Sequence, residues 1–308
     1  MIEKSMEYMN KLFISNSPED ILRFYDYFDE TKDLVEWMIK RPKGNFNVYE
    51  VDSESDVAVV IPTKSVTSML AKNCRNIFAG SIILFIESGE SNPYFNYAHN
   101  CNEGIKRALK YDAKWIIVSN DDVIKVDDFN VLTSQLKSLD RTKVDMIYTN
   151  PALYHSIPVC LSTSKFSRKL LFSTSKNRRY QIKLEKKFKI NYFSSRDNFL
   201  WNLFFKCNYK HISIADFAIF NSNYLKDLGG TLFDETYING GEDIDFSLNF
   251  HMRGEQFRFV DYTIRENMGT SLGTGPIRYL RDIINYAYFN YKIYNESIKI
   301  PIYRDSKK

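Results

Sequence analysis

The runs VAVVIP (57–62), SIILFI (81–86) and KWIIVS (114–119) decide the fold. Each is of strand length and β-branched, without the alternation of a half-exposed strand, so each reads as a strand buried on both faces. Between them, Met69, Leu70, Cys74, Ile77 and Phe78, and then Ala98, Cys101, Ile105, Ala108 and Leu109, recur with helical period. Strand–helix–strand–helix–strand implies right-handed crossovers and parallel neighbours. The expected fold class is α/β, with a mostly parallel central sheet flanked by helices. Further strands are expected over 144–149, 212–220 and 256–261.

In such sheets ligands bind beyond the carboxyl ends of the strands. Those ends are Pro62-Thr63-Lys64, Glu87-Ser88-Gly89 and Asn120-Asp121-Asp122. The first of these turns has no glycine, whereas a dinucleotide fingerprint or a P-loop needs glycines there so that backbone can approach phosphate. Both classes are rejected. A ligand at these strand ends must be held by side chains, and a metal is expected.

Outward from this unit, residues 1–52 read as an N-terminal helical extension. Met6, Met9 and Phe13, and Ile21, Phe24, Tyr25 and Phe28, sit at helical spacing, and SPED (17–20) is a helix start with Ser17 as N-cap and Pro18 at the first helical position. Residues 53–273 read as the main domain and 274–308 as a helical tail, where Tyr279, Ile283, Tyr286 and Phe289, with Leu280, Ile284 and Ala287, give a broad apolar face. That face suits packing on the domain.

The 308 residues are 44% hydrophobic and 26% charged, enough to bury a core and unlike a disordered chain. No uncharged apolar run approaches the roughly 18 residues of a spanning helix. Glu3, Lys4 and Glu7, with no apolar run near them, do not read as a secretory signal. Cys74, Cys101, Cys160 and Cys207 are scattered, which argues against a disulfide framework or a zinc site and for a reducing, cytoplasmic setting. The net charge of +4 is uneven: residues 164–210 carry 13 Lys/Arg against 2 acids, and the rest carries 29 against 36. This basic segment is expected as a flap or insertion beside the acceptor side of the cleft, with peripheral contact to anionic membrane, the bland alternative being a solvated basic surface.

Two constellations could carry chemistry. Asp121 and Asp122 follow a buried strand and, being adjacent, point to opposite sides, so one can face the cleft. Carboxylates there suit a hard divalent cation shared with substrate phosphates, though Asn-Asp-Asp is also ordinary turn chemistry. In GGEDIDFSLNFHMRG (240–254), Glu242, Asp243 and Asp245 open a helix that Gly254 can end. Acids there are stabilised as anions by the helix dipole and could supply a general base, or simply cap the helix. His99, His155, His211 and His251 show no metal-ligand spacing and read as structural, as do Trp37, Trp115 and Trp201. Asp234 and Glu235 read as braces of the turn before Glu242.

VAVVIPTK, FIESG, YAHNCNEGIKRAL, WIIVSNDDV and LGGTLFDETYINGGEDIDFSLNFHMRG, in that order across about 56–273, resemble the motifs of glycosyltransferase family 2, inverting enzymes with the GT-A fold. The resemblance implies that Pro62 and Thr63 seat the nucleotide and that Glu87 contacts base or ribose. It places Asn102 and Gly104 in an N-x-G helix beside the nucleotide. Asn120-Asp121-Asp122 stands where a DxD motif is usual, with Asp122 as ligand to Mg²⁺ or Mn²⁺ and Asn120 departing from the pattern. Asp243 matches the acceptor-activating base, with Glu242 the runner-up. ENMGTS (266–271) puts Glu266 where the family often has a histidine metal ligand.

The implied function is transfer of a sugar from a nucleotide-sugar donor to an acceptor hydroxyl, with a glycan, lipid-linked or protein acceptor. Two alternatives stand beside it. One is a non-catalytic sugar-nucleotide binder. The other is a nucleic-acid binder using the aromatic-interleaved basic segment (Tyr180, Phe188, Tyr192, Phe193, Phe199). Against the latter, no nucleic-acid motif is present and the acidic remainder would repel phosphate backbones, so no nucleic acid is expected.

Overall fold

Alternation within each apolar run sends successive side chains to opposite faces of the sheet. Val57, Val59 and Ile61, with Ile83, Phe85 and Ile117, pack into one core under the helices Met69–Ile77 and Phe129–Ser138. Ala58 and Val60, with Leu84, Ile86, Ile116 and Val118, pack into another under the helices Tyr97–Ala108 and Glu242–Arg253. Both faces of the three strands are therefore dry, which is why their sequences do not alternate. This arrangement comes from a computed structural model that describes residues 5–150, 154–167, 178–194, 205–214, 217–266, 275–295 and 297–300.

Along the chain the strands are β1 (Asn47–Val51), β2 (Val57–Thr63), β3 (Ile82–Glu87), β4 (Trp115–Ser119), β5 (Val123–Lys125), β6 (Met146–Tyr148), β7 (Tyr154–Leu161), β8 (Tyr192–Ser194), β9 (Lys206–Ile214), β10 (Phe217–Asn221), β11 (Phe257–Phe259) and β12 (Ile264–Glu266). The main sheet has the order β1-β3-β2-β4-β10-β6-β11. β3, β2 and β4 are mutually parallel, β1 and β10 run against them, and β6 and β11 return to the common direction. The expected mixed α/β unit with a mostly parallel sheet flanked by helices is thus present. β5 pairs with β12, and β8, β7 and β9 form a third sheet.

Two elements differ from expectation. Residues 47–51, read with the helical extension, form the edge strand β1, antiparallel to β3 with Asn47 opposite Glu87. The region read as one strand over 212–220 is two: β9 is an edge of the small sheet, and β10 lies within the main sheet between β4 and β6.

The N-terminal helices Met6–Phe13, Pro18–Asp26 and Thr31–Lys40 do not stand apart from the domain. Ser17 caps the second through the Asp20 amide, with Pro18 at its first position. Phe13, Phe24, Phe28 and Trp37 interleave, and they share a core with Leu280, Ile283, Ile284 and Ala287 of the tail helix Gly275–Tyr294. Tyr25 donates to the Leu280 carbonyl at 2.7 Å, fully buried. The tail helix also supports the rest of the molecule. Asn285 accepts from the Ile238 amide (3.0 Å) and donates to its carbonyl (3.2 Å), and Asn290 accepts from the amides of Asn191 and Tyr192.

In the basic segment, Phe188 and Phe193 are buried in cores, so they cannot serve as stacking platforms for bases. Residues 168–177 and 195–204, with Trp201 and Phe199, lie outside the described residues. Among the described residues no helix is long and apolar enough to cross a membrane. None of the four cysteines is in a disulfide.

Candidate active site

The parallel register of β2 and β3 sets Thr63 opposite Glu87, directly after buried Pro62, and the Ser88 amide donates to the Thr63 carbonyl at 2.9 Å. Glu87 Oε1 accepts from the Val66 amide at 2.9 Å, so a carboxylate shapes the glycine-free turn after β2. From the next strand end, Asp121 accepts from the Thr63 hydroxyl at 2.6 Å. The helix Met69–Ile77 holds the backbone there: Cys74 Sγ donates to the Asp121 carbonyl (3.3 Å) and Asn73 to the Val123 carbonyl (3.0 Å).

Asp121 is therefore turned toward β2, as the adjacency of the two acids requires for one of them. Asp122 is half-buried, and its Oδ1 is enclosed without a hydrogen-bond partner. Burial pushes both carboxyls above the ordinary aspartate range, and Asp122 is raised further by the charge of Asp121. An enclosed carboxylate oxygen lacking a donor, beside a second acid, is the environment a hard divalent cation relieves, so these residues fit a Mg²⁺ or Mn²⁺ site. Asn120 adjoins them, half-buried. The backbone of Glu266 pairs with Val123, one residue beyond Asp122, because β12 lies antiparallel to β5.

The second constellation is the helix Glu242–Arg253. Gly241 enters it at φ 88°, the left-handed region that glycine adopts without cost, and Gly254 leaves it at φ 74°. Glu242 turns inward. It is almost fully buried, its Oε2 has no hydrogen-bond partner, and burial with the adjacent charge of Asp243 pushes its carboxyl up to about 8. Asp243 is half-buried and its carbonyl accepts from Ser247 at 2.7 Å. The pair is thus divided into a proton-holding inward acid and a more open partner.

Asp245, also buried, contacts Lys292 of the tail helix, and the same ammonium lies 2.8 Å from Asp234. Asp234 further accepts from Tyr288 (2.8 Å) and the Thr236 amide (3.0 Å). Burial acts to raise both carboxyls. It prevails for Asp245, whereas at Asp234 the charge and hydrogen bond of Lys292 outweigh it and hold the group below the ordinary range. The loop into the helix is stitched to the amino end of the helix Tyr97–Ala108. Asn96 donates to the carbonyls of Glu235 and Tyr237, Asn239 accepts from the Tyr97 amide, and Glu235 meets both His99 and Asn102. Asp234 and Glu235 do brace this turn.

Asn102, expected in a helix beside the nucleotide, is fully buried, and its amide is engaged by the loop: Oδ1 accepts from the amides of Leu232 and Phe233, and Nδ2 donates to the Phe233 carbonyl and to Glu235. Gly104 has a packing reason, since a Cβ there would overlap Val60 and come within 3.0 Å of Ile86 Cγ1. His211 is buried and pushed down to about 3 by burial and by His251, and His251 is engaged by the Ile212 carbonyl at 2.8 Å and the Tyr148 hydroxyl at 3.1 Å. Lys292 was not foreseen. The signal for it was its position four residues after Tyr288 and eight after Ile284, on the buried stripe of the tail helix.

No family model and no curated protein sequence matches the chain. Among solved structures, it is similar to the mannosyltransferase PcManGT from Pyrobaculum calidifontis in complex with GDP-Man and Mn²⁺, at 13% identity over 83% of this chain and 67% of that one, with a TM-score of 0.36. It is also similar to CMP:2-keto-3-deoxy-manno-octonic acid synthetase complexed with CTP, at 10% identity over 77% of this chain and all of that one, with a TM-score of 0.33. Likenesses this distant say nothing of activity.

Proposed function

We propose that the chain is a metal-assisted inverting glycosyltransferase of the GT-A kind, resembling family 2, that moves a sugar from a nucleotide-diphosphate donor to an acceptor hydroxyl. The observation that carries this reading is the enclosed, unpartnered Oδ1 of Asp122 at the carboxyl ends of the sheet, with Asp121 turned away onto Thr63. Pro62, Thr63 and Glu87 would seat the nucleotide, with Asn120 and Asp121 shaping the turn beneath it. Asp122 would hold Mg²⁺ or Mn²⁺, with Glu266 as second ligand, giving an all-oxygen shell. A divalent cation bound there supplies neutralisation of the leaving diphosphate.

Asp243 is the base in this reading. Being more open than Glu242, it takes the proton of the acceptor hydroxyl as that oxygen attacks the anomeric carbon from the face opposite the diphosphate. Glu242, holding its own proton near neutral pH, keeps the adjacent carboxylate from facing a second full negative charge. Asn102 serves by fixing the loop that leads into this helix. The acceptor is a glycan, lipid-linked or protein hydroxyl, and the basic segment 164–210 favours an anionic partner on its side of the molecule.

A thermal-shift screen of UDP-, GDP- and dTDP-sugars with Mn²⁺ tests the reading, since binding stabilises the folded state. At least one donor should raise Tm only when metal is present. Absence of any such shift across the three nucleotides would sink it. Glu266→Ala should weaken the metal requirement's affinity and Glu266→His should shift metal preference; if both titrate like wild type, Glu266 is not a ligand.

A further inference from the structure

We propose that His99, Glu103 and Glu235 form a second divalent-metal site, separate from Asp122, that takes a borderline transition ion such as Zn²⁺ and clamps the helix Tyr97–Ala108 to the loop leading into the Glu242 helix.

His99 and Glu103 are four residues apart on that helix, so their side chains lie on one face, one above the other. Glu235 reaches the same face from the loop. One ligand atom from each residue, an imidazole nitrogen and two carboxylate oxygens, lies within 4.8 Å of the others. A tetrahedral ion with bonds of about 2.0–2.2 Å holds its ligands about 3.4 Å apart. The cluster therefore needs only side-chain adjustment to close around one.

The arrangement is held from behind, as metal ligands usually are. Glu235 Oε1 accepts from Asn102 Nδ2 at 2.9 Å, and the Glu235 carbonyl accepts from Asn96 Nδ2 at 3.0 Å. The three side chains are 19–31% exposed, which leaves an entry path and room for water in the remaining position. One imidazole with two carboxylates selects zinc-like ions over Mg²⁺, in contrast to the all-oxygen surroundings of Asp122.

Without an ion, other partners occupy the same carboxylates: Lys106 lies 2.7 Å from Glu103 Oε1, and His99 Nδ1 lies 2.9 Å from Glu235 Oε2. Zinc would replace the contact between His99 and Glu235, while Lys106, nearly half exposed, would swing into solvent. An ion pair of Lys106 with Glu103 beside a hydrogen-bonded contact of His99 with Glu235 is the competing explanation, and it predicts no zinc affinity at this place.

The test is calorimetric titration of Zn²⁺ into the metal-stripped full chain, in an Asp122→Asn background so that the strand-end acids contribute little. Glu103→Gln is the key variant. It removes a ligand charge at the surface, and its melting temperature in EDTA should match the parent. One equivalent of zinc should bind the background protein, at least tenfold more weakly with Glu103→Gln and undetectably with Glu235→Gln. Mg²⁺ in large excess should not compete. Zinc binding unchanged by Glu103→Gln would place the ion elsewhere, at a cysteine or at His251, and overturn the proposal. So would the absence of zinc binding by the folded background protein. Neither result bears on glycosyl transfer.

Discussion

Lys292→Met removes an ammonium that both Asp234 and Asp245 contact, while keeping the length of the side chain. Lys292 is 13% exposed and Asp245 4%, so solvent does not replace the lost charge. Breaking a buried ion pair by removing one partner costs about 3–5 kcal/mol, because a charge is left uncompensated. Unfolding entropy of about 2.1 cal/mol/K per residue gives a chain of 308 residues roughly 0.65 kcal/mol per kelvin, so Tm should fall by about 5–8 °C at pH 7. The loss must also depend on pH. In the wild type, Asp234 is held low, so its contribution is present above the ordinary aspartate value and lost as pH falls through its folded value. In the variant both carboxyls are raised, so the folded state is penalised as pH climbs from about 4 toward neutrality. Both effects make the gap between the proteins narrow in acid. The triple variant Asp234→Asn, Asp245→Asn, Lys292→Met should recover most of the stability, since no charge is then stranded. Calorimetric melts at pH 4.5 and 7 measure this. A shift below about 1 °C at pH 7, or a gap that widens in acid, would refute the reading of this network.

Glu242→Gln tests the inward acid. Its carboxyl is raised to about 8, so the folded protein loses stability as pH rises from the unfolded value of about 4.5 to 8; the variant should melt with wild type at pH 4 and increasingly above it up to pH 8. Gly104→Ala places a Cβ against Val60 and Ile86 and should destabilise by about 1–3 kcal/mol in urea unfolding, with no change in metal binding. Asp243→Asn should leave donor-induced thermal shifts intact while transfer falls by at least about 10²-fold; lost donor affinity instead would make it a binding residue.

The central strands were legible because both their faces are covered, which leaves an unbroken apolar run in the sequence. β1 was not, because all five of its residues are exposed. Its place is fixed by hydrogen bonds to β3 rather than by burial, and those leave no hydrophobic pattern. The acidic helix and Asp121-Asp122 were readable from local turn and capping chemistry. Which of each adjacent pair faces inward was readable only as a dichotomy, since adjacency says that two side chains diverge but not which one finds Thr63 or the core. The bonding of Asn102 to the loop was not legible, because a buried asparagine on a helix looks the same in sequence whether it holds a ligand or a loop. The pairings of Lys292 with Asp234 and Asp245, and of His99 with Glu235, join distant parts of the chain through single polar contacts. Helical periodicity puts Lys292 on the buried stripe but does not record which acids it meets.

The most direct measurement of the central claim is the donor-induced shift in Tm with and without Mn²⁺, compared between wild type and Asp122→Asn. At donor concentrations near 100 times Kd, binding stabilises by about 2.7 kcal/mol, which is about 4 °C for a chain of this size. The wild type should show that shift with Mn²⁺ and little without it, and Asp122→Asn should show little in either condition. A metal-dependent shift of equal size in Asp122→Asn would contradict the account.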